Sequence, residues 1–394
     1  YTIAMNRLRK YICMGLSVLA CAFSAIQPVH ASYDSEETSQ SIVSEKAYVY
    51  DFETGQVLLD KGSTDRIYPA SMTKIMTALV ALNSGYDLST PVTITSDMVE
   101  GLAEANASIV GYYIGDTPTM MDLLYGTILP SGADAVNALA YTIAGSIDSY
   151  VNMMNQEAQK LGMNDTHFVT PTGLHDDNHY STCRDIAILL EEALKNDTFR
   201  TIFNTREYTD SLGYTMQATI NNPLAAYPVD LPGFEGDKTG YTDEAGHCMA
   251  SYAVLNGMQI ITVTAQALTD WYSYDHIWDT STILTWLSSN YSRKTLYNEG
   301  DIIAQYYGKK VIGQESEEVS LAEPISLDVR NDASISLDTD VKEEYTLHND
   351  PSEKTATITI YSDGEQIYST QQEFTVPKVP DFINKFLTFF RDLF

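Results

Sequence analysis

After Pro69, apolar residues fall at positions 72, 75, 76, 79 and 80, a helical spacing that predicts a helix ending near Gly85. Ahead of it, 47–50 and 57–59 read as strands around a turn at Glu53-Thr54-Gly55, a hairpin. Residues 32–44 are polar and acidic, the composition of a flexible leader. Short strand-like pieces among polar turns occupy 87–104. An apolar helical run over 120–129 is broken by Pro130-Ser131-Gly132 before a second helix from Ala133 to about Ala144. Amphipathic helices are predicted over 148–161 and 184–195. The β-rich runs 248–255 and 258–266 are joined by Asn256-Gly257, a strong hairpin signal, and 277–288 returns to helical spacing. The order hairpin, helices, hairpin, helix predicts one α/β domain over 45–292, whose sheet joins chain ends around a helical middle.

Near Tyr291 the pattern changes. Alternating runs such as 325–329 and 355–361, with a turn at Ser362-Asp363-Gly364, predict a small all-β domain over 293–376. Pro377 and Pro380 then form a stiff spacer, and from Phe382 to Phe394 apolar residues alternate in helical register with Asn384, Lys385, Thr388, Arg391 and Asp392. This C-terminal amphipathic helix reads as an anchor on a membrane surface, since a spacer detaches it and its phenylalanines would otherwise stand exposed; docking on its own protein is the alternative. At the other end, Arg7, Arg9 and Lys10 precede an apolar run over 11–26 and a small-residue site at Val29-His30-Ala31. Residues 1–31 therefore read as a secretory signal peptide, with a weaker lipoprotein-like alternative at Cys21.

Without that segment about 360 residues remain, enough for about two domains. The full chain carries 53 acidic against 23 basic side chains, a net charge of −30, and the signal segment holds only basic ones. Such a surface repels nucleic acid and anionic lipid, and fits an extracytoplasmic protein with no nucleic-acid partner. Cys183 and Cys248 remain, too few for a disulfide framework or a zinc site.

The chemistry gathers around Ser71. Lys74 lies three residues on, on the same helical face, within reach of the serine oxygen. A serine hydroxyl needs an adjacent base, and a lysine that loses its proton on desolvation can serve. Alone, Ser-x-x-Lys is a weak signal. Two later elements can share its cleft: Ser131 in the Pro-Ser-Gly turn, equally readable as a helix cap, and Lys238-Thr239-Gly240, suited to a carboxylate or equally a plain strand start.

The ordered set Ser71-x-x-Lys74, Ser131 and Lys238-Thr239-Gly240 resembles the penicillin-binding proteins and class A β-lactamases. Within that superfamily the chain is similar to the low-molecular-mass D-alanyl-D-alanine carboxypeptidases of serine peptidase family S11. The similarity extends to Pro69–Thr77, Asp237-Lys238-Thr239-Gly240-Tyr241-Thr242 with Ala245-Gly246, and Thr170-Pro171-Thr172-Gly173-Leu174-His175 running into His179-Tyr180-Ser181-Thr182. The resemblance implies a β-lactamase/transpeptidase-like fold, an antiparallel sheet with a helical cluster, and no cofactor. It implies that Ser71 attacks the bond between the terminal D-alanines of a peptidoglycan stem peptide, with Lys74 as base and Ser131 as proton relay. Backbone N–H groups of Ser71 and Tyr241 would form the oxyanion hole, Lys238 and Thr239 would hold the terminal carboxylate, and Gly240 would let the substrate approach. β-Lactams would acylate the same serine, and the anchor would rest on the outer face of the cytoplasmic membrane. Two departures stand out. Ala133 occupies a position where relatives usually carry Asn, and 269–275 lacks the arginine that often assists the carboxylate.

Glu192 and Asn196 are weak analogues of a deacylating glutamate. His167, His175 and His179 read as a packed loop, and no metal is needed by this chemistry. The rival readings are a D,D-endopeptidase using the same site and a non-catalytic cell-wall binding protein.

Overall fold

The computed structural model describes residues 33–267, 273–309, 314–343 and 353–375; the expected signal segment, the proline spacer and the terminal amphipathic helix lie outside them. In chain order, α1 (Tyr33–Ser41) leads to the hairpin β1 (Lys46–Asp51) and β2 (Val57–Lys61), a 3-10 turn at Ala70–Met72, and α2 (Thr73–Asn83). Next come α3 (Ser96–Val99), α4 (Met120–Ile128), α5 (Ala133–Ala144), α6 (Ile147–Leu161), α7 (Cys183–Leu194) and α8 (Asp197–Phe203). A short hairpin, β3 (Glu207–Thr209) and β4 (Thr215–Gln217), precedes α9 (Asn221–Ala226), then β5 (Phe234–Thr242), β6 (Gly246–Leu255), β7 (Met258–Ala267) and α10 (Asp275–Asn290).

The central sheet runs β2-β1-β7-β6-β5, antiparallel throughout. Strand alternation splits its side chains between two cores. Ala47 and Val49 face one layer with Leu59, Ile260, Ile283, Leu284 and Leu287 of α10, whereas Tyr48 and Tyr50 face the helical cluster with Ile75, Leu190 and Ile261. In α2 every residue from Thr73 to Ala81 is buried. A helix surrounded on all sides is the rigid axis of such a cluster, and Tyr150 of α6 donates from its hydroxyl to Thr77 O at 2.7 Å.

Two expectations need correction. The polar segment 32–44 is not a free leader: α1 is helical, Ile42 and Ser44 are buried, and Asp279 of α10 accepts from Val43 N at 2.9 Å and Ser44 N at 2.7 Å. A partner more than two hundred residues away supplies the order that composition does not. Lys238-Thr239-Gly240 does not merely precede the β-rich hairpin but lies inside β5, the edge strand. Its glycines and charges hide the strand pattern, and pairing with β6 imposes it.

Among the described residues, α10 is followed by β8 (Tyr291–Tyr297), β9 (Ile302–Lys309), β10 (Gln314–Ser320), β11 (Ile325–Arg330), β12 (Ile335–Glu343), β13 (Glu353–Ser362) and β14 (Glu365–Thr375). Leu327, Val329, Ile358 and Ile360 form their small core. Arg293 of β8 ties this region to the main sheet. It pairs with Asp51 at 2.5 Å, with Asp328 at 2.9 Å and with Glu53. Among the described residues no helix is long and apolar enough to cross a membrane.

Candidate active site

Ser71 sits in the 3-10 turn that leads into α2, between the sheet edge and the helical cluster. The turn is held in a strained shape. Ala70 has φ +45°, a conformation costly for a residue with a Cβ. The chain packs on it from both sides. At Gly173 an added Cβ would lie 1.9 Å from Ala70 O, and at Gly240 one would lie 2.9 Å from Ser71 N. Both glycines are required by close backbone approach.

Lys74 Nζ lies 2.9 Å from Ser71 Oγ and donates to Thr172 O at 2.5 Å. Its side chain is buried, and desolvation, then the nearby charge of Lys238, holds its amine well below the ordinary lysine range. A neutral amine in hydrogen-bond reach of a serine hydroxyl can take its proton.

Ser131 enters the same cleft from the turn between α4 and α5, with φ +64° and a buried Oγ that has no hydrogen-bond partner among the described residues. Ser131 thus presents a strained backbone and an unpaired hydroxyl to the cleft. Gly132, not Ser131, caps α5. Ala133 lines the cleft with a methyl, while its backbone N donates to Ser108 O at 2.8 Å. The loop so attached brings Asn106 and Ser108 to the cleft wall. Asp134 fixes that loop by accepting from Val110 N, Gly111 N and Tyr112 N at 2.8, 2.9 and 3.2 Å.

On β5, Thr239 lines the cleft and its Oγ1 lies 2.6 Å from Thr219 Oγ1. Lys238 is fully buried: its ammonium donates to Thr239 O at 2.8 Å, and burial lowers its pKa to about 8 despite the neighbouring Asp237. Lys238 thus stands behind the cleft wall, near Lys74, while Asp237 is neutralised by Arg206 at 2.8 Å. Tyr241 lines the cleft, and its hydroxyl donates to Asp243 at 3.0 Å. The cleft encloses about 660 Å³ and brings together Ser71, Lys74, Ser131, Thr239, Gly240 and Tyr241.

Other candidates fall elsewhere. His179 Nδ1 accepts from Val169 N at 2.9 Å, so its Nε2–H donates to Thr73 Oγ1 at 2.8 Å; burial drops its pKa to about 4. It pins the 167–182 loop to α2. Asn196 caps α8, accepting from Thr198 N and Phe199 N, and Glu192 pairs with Lys195 at the surface. Cys248 is buried under Tyr68 O with its thiol pushed up to about 12, and Cys183 is likewise buried and free. Sequence reasoning missed Thr219 and His276, which line the cleft but lie far from any motif, and His247, which lines it directly after the Ala245-Gly246 pair.

Residues 33–269, more than half of the chain, match the peptidase S11 family, described as D-alanyl-D-alanine carboxypeptidase. The D-alanyl-D-alanine carboxypeptidase DacF of Bacillus subtilis is 32% identical over 376 residues, 92% of each chain. The D-alanyl-D-alanine endopeptidase of Pseudomonas aeruginosa is 30% identical over 292 residues, 72% of this chain and 89% of that one. The crystal structure of the Streptomyces K15 DD-transpeptidase superposes with a TM-score of 0.56 at 32% identity, covering 62% of this chain and 97% of that one. Penicillin binding protein 5 from Haemophilus influenzae shares the fold with a TM-score of 0.68 at 24% identity, over 85% of this chain and 97% of that one.

Proposed function

The chain belongs to the peptidase S11 family, the serine-type D-alanyl-D-alanine carboxypeptidases, and from that premise we propose how its own residues remove the terminal D-alanine of a peptidoglycan stem pentapeptide. Lys74, whose amine burial pushes towards the neutral form, takes the proton of Ser71 Oγ as that oxygen attacks the carbonyl between the two terminal D-alanines. The backbone N–H groups of Ser71 and Tyr241 stabilise the resulting oxyanion, a reading supported by the close approach of Gly240 to Ser71 N. Ser131, whose hydroxyl has room for a new partner, hands the proton to the departing D-alanine amine. Water then cleaves the ester on Ser71. Thr239, backed by Thr219, binds substrate, and Lys238 supplies positive field from behind rather than a direct contact.

The observation that carries this mechanism is the buried Lys74 amine 2.9 Å from Ser71 Oγ. The wild-type protein is expected to release D-alanine from a stem pentapeptide and to be acylated by labelled penicillin, and Ser71→Ala to do neither. Lys74→Met is expected to slow acylation by roughly 10²–10⁴-fold, the usual worth of a general base. Acylation of the Ser71→Ala protein at full rate would sink the assignment of the nucleophile.

Residues 1–31 and 382–394 support a secreted protein held on the outer face of the cytoplasmic membrane, with 293–376 as a β-rich spacer domain. Vesicle flotation of the chain with and without 382–394 tests the anchor: equal binding by both would overturn it.

A further inference from the structure

A substrate ending in a free carboxylate needs donors in the cleft, and the buried Lys238 ammonium is already turned onto Thr239 O. The wall beside Thr239 is built from something else. Thr239 and Tyr241 are two residues apart on β5, and His247 on β6 is the cross-strand partner of Tyr241, so the three side chains share one face of the sheet. The Tyr241 and His247 rings are 4.6 Å apart, and the His247 ring stacks in turn on His276, from the first turn of α10, at 4.8 Å and 2°. All four residues line the cleft.

His276 is the anomaly in this row. It is buried, and its Nδ1 is shielded from solvent with no hydrogen-bond partner among the described residues. Buried polar atoms without a partner are rare and call for an explanation. Burial, then the neighbouring His247, lowers its pKa to about 3, and no carboxylate contributes to the shift. The imidazole is thus neutral, and in the tautomer protonated at Nδ1 that unpartnered atom is a hydrogen-bond donor. A half-turn about Cβ–Cγ keeps the stack and carries a ring nitrogen to the opposite edge. His175, the third histidine of the cleft, differs: it lies 3.5 Å from Asp177 and 3.7 Å from Glu244, so acidic neighbours already occupy it.

We propose that the stacked His247–His276 pair, together with the Thr239 and Thr219 hydroxyls, forms the subsite that receives the C-terminal carboxylate of the substrate and confers preference for a free acid over a neutral chain end. This rests on the carboxypeptidase reading above. Asp243 and Glu244 at the mouth repel a second anion, so the imidazole–hydroxyl wall is where a carboxylate finds donors without a competing charge.

The test compares kcat/KM for a blocked peptide ending in D-Ala-D-Ala with that for its C-terminal carboxamide, in wild type, His276→Phe and His276→Asn. The acid-to-amide ratio does not depend on the folded fraction of a variant. His276→Phe, which keeps the stack without a donor, is expected to cut the ratio about tenfold through KM for the acid, and His276→Asn to restore part of it. A ratio equal to wild type in both active variants overturns the proposal and leaves the carboxypeptidase reading intact. A wild-type protein that hydrolyses neither peptide and resists penicillin would instead overturn that reading, and this one with it.

Discussion

At the scale of single residues, the site depends on two lysines that share a buried region. Burial first, and then the charge of Lys238, which has no place in the cleft itself, holds the Lys74 amine well below the ordinary lysine range. A positive neighbour disfavours the protonated form of Lys74 and so enlarges the fraction able to act as base. Lys238→Gln removes that charge, so the rising limb of the acylation rate against pH is expected to move to higher pH, with several-fold slower acylation at neutrality. An unmoved limb in a folded variant would show that burial alone tunes Lys74. Ser71 and Lys74 were legible in the sequence because their relationship is local, three positions on one helix. Ser131 and Thr239 became legible only as members of an ordered set. His276 and Thr219 were not, because tertiary packing alone carries them to the cleft, and neither stands in a recognisable local pattern.

At the scale of elements, the cleft is a strained turn, an edge strand and a loop, each clamped by a neighbour. In the loop, one side chain holds three consecutive backbone N–H groups. Asp134 accepts three backbone N–H bonds from 110–112, so Asp134→Ala leaves these donors unpaired and is expected to cost about 3 kcal/mol. Chemical denaturation reads the stability, and limited proteolysis should show cleavage within 105–112 appearing before cleavage elsewhere. The long helices and the Asn256-Gly257 hairpin were readable because their apolar periodicity is strong and their turn chemistry specific. β5 was not, since Gly236, Asp237, Lys238 and Gly240 obey the demands of the site rather than those of strand propensity. The segment after α1 escaped for the reverse reason: Val43 and Ser44 are fixed by Asp279, which no local reading can supply.

At the scale of the whole molecule, Arg293 joins the catalytic sheet to the strands that follow, and it does so in a largely buried setting. Arg293→Met would strand Asp51 and Asp328 without a cation and is expected to cost about 3–5 kcal/mol. The loss should depend on pH. Burial pushes the Asp328 carboxyl up to about 6, above an unfolded value of about 3.9. Between those values the folded protein holds a proton that the unfolded chain has lost, so this group's contribution falls as pH rises. Without Arg293 the charged form is worse still, and the deficit of the variant, read from Tm, should be largest at pH 7 and shrink towards pH 5. The sheet itself has a consequence in time rather than in energy. β1 is made early but must wait for β7, and the Asp51 carboxylate that accepts from Gln259 N at 2.6 Å spans 208 residues to do so. Contacts of such sequence separation slow folding, because the loop must close before pairing rewards it. A chain emerging N-terminus first therefore stays open until its last sheet strand is available, and Ser71, in its 3-10 turn, meets Gly240 of β5 only when that sheet has closed.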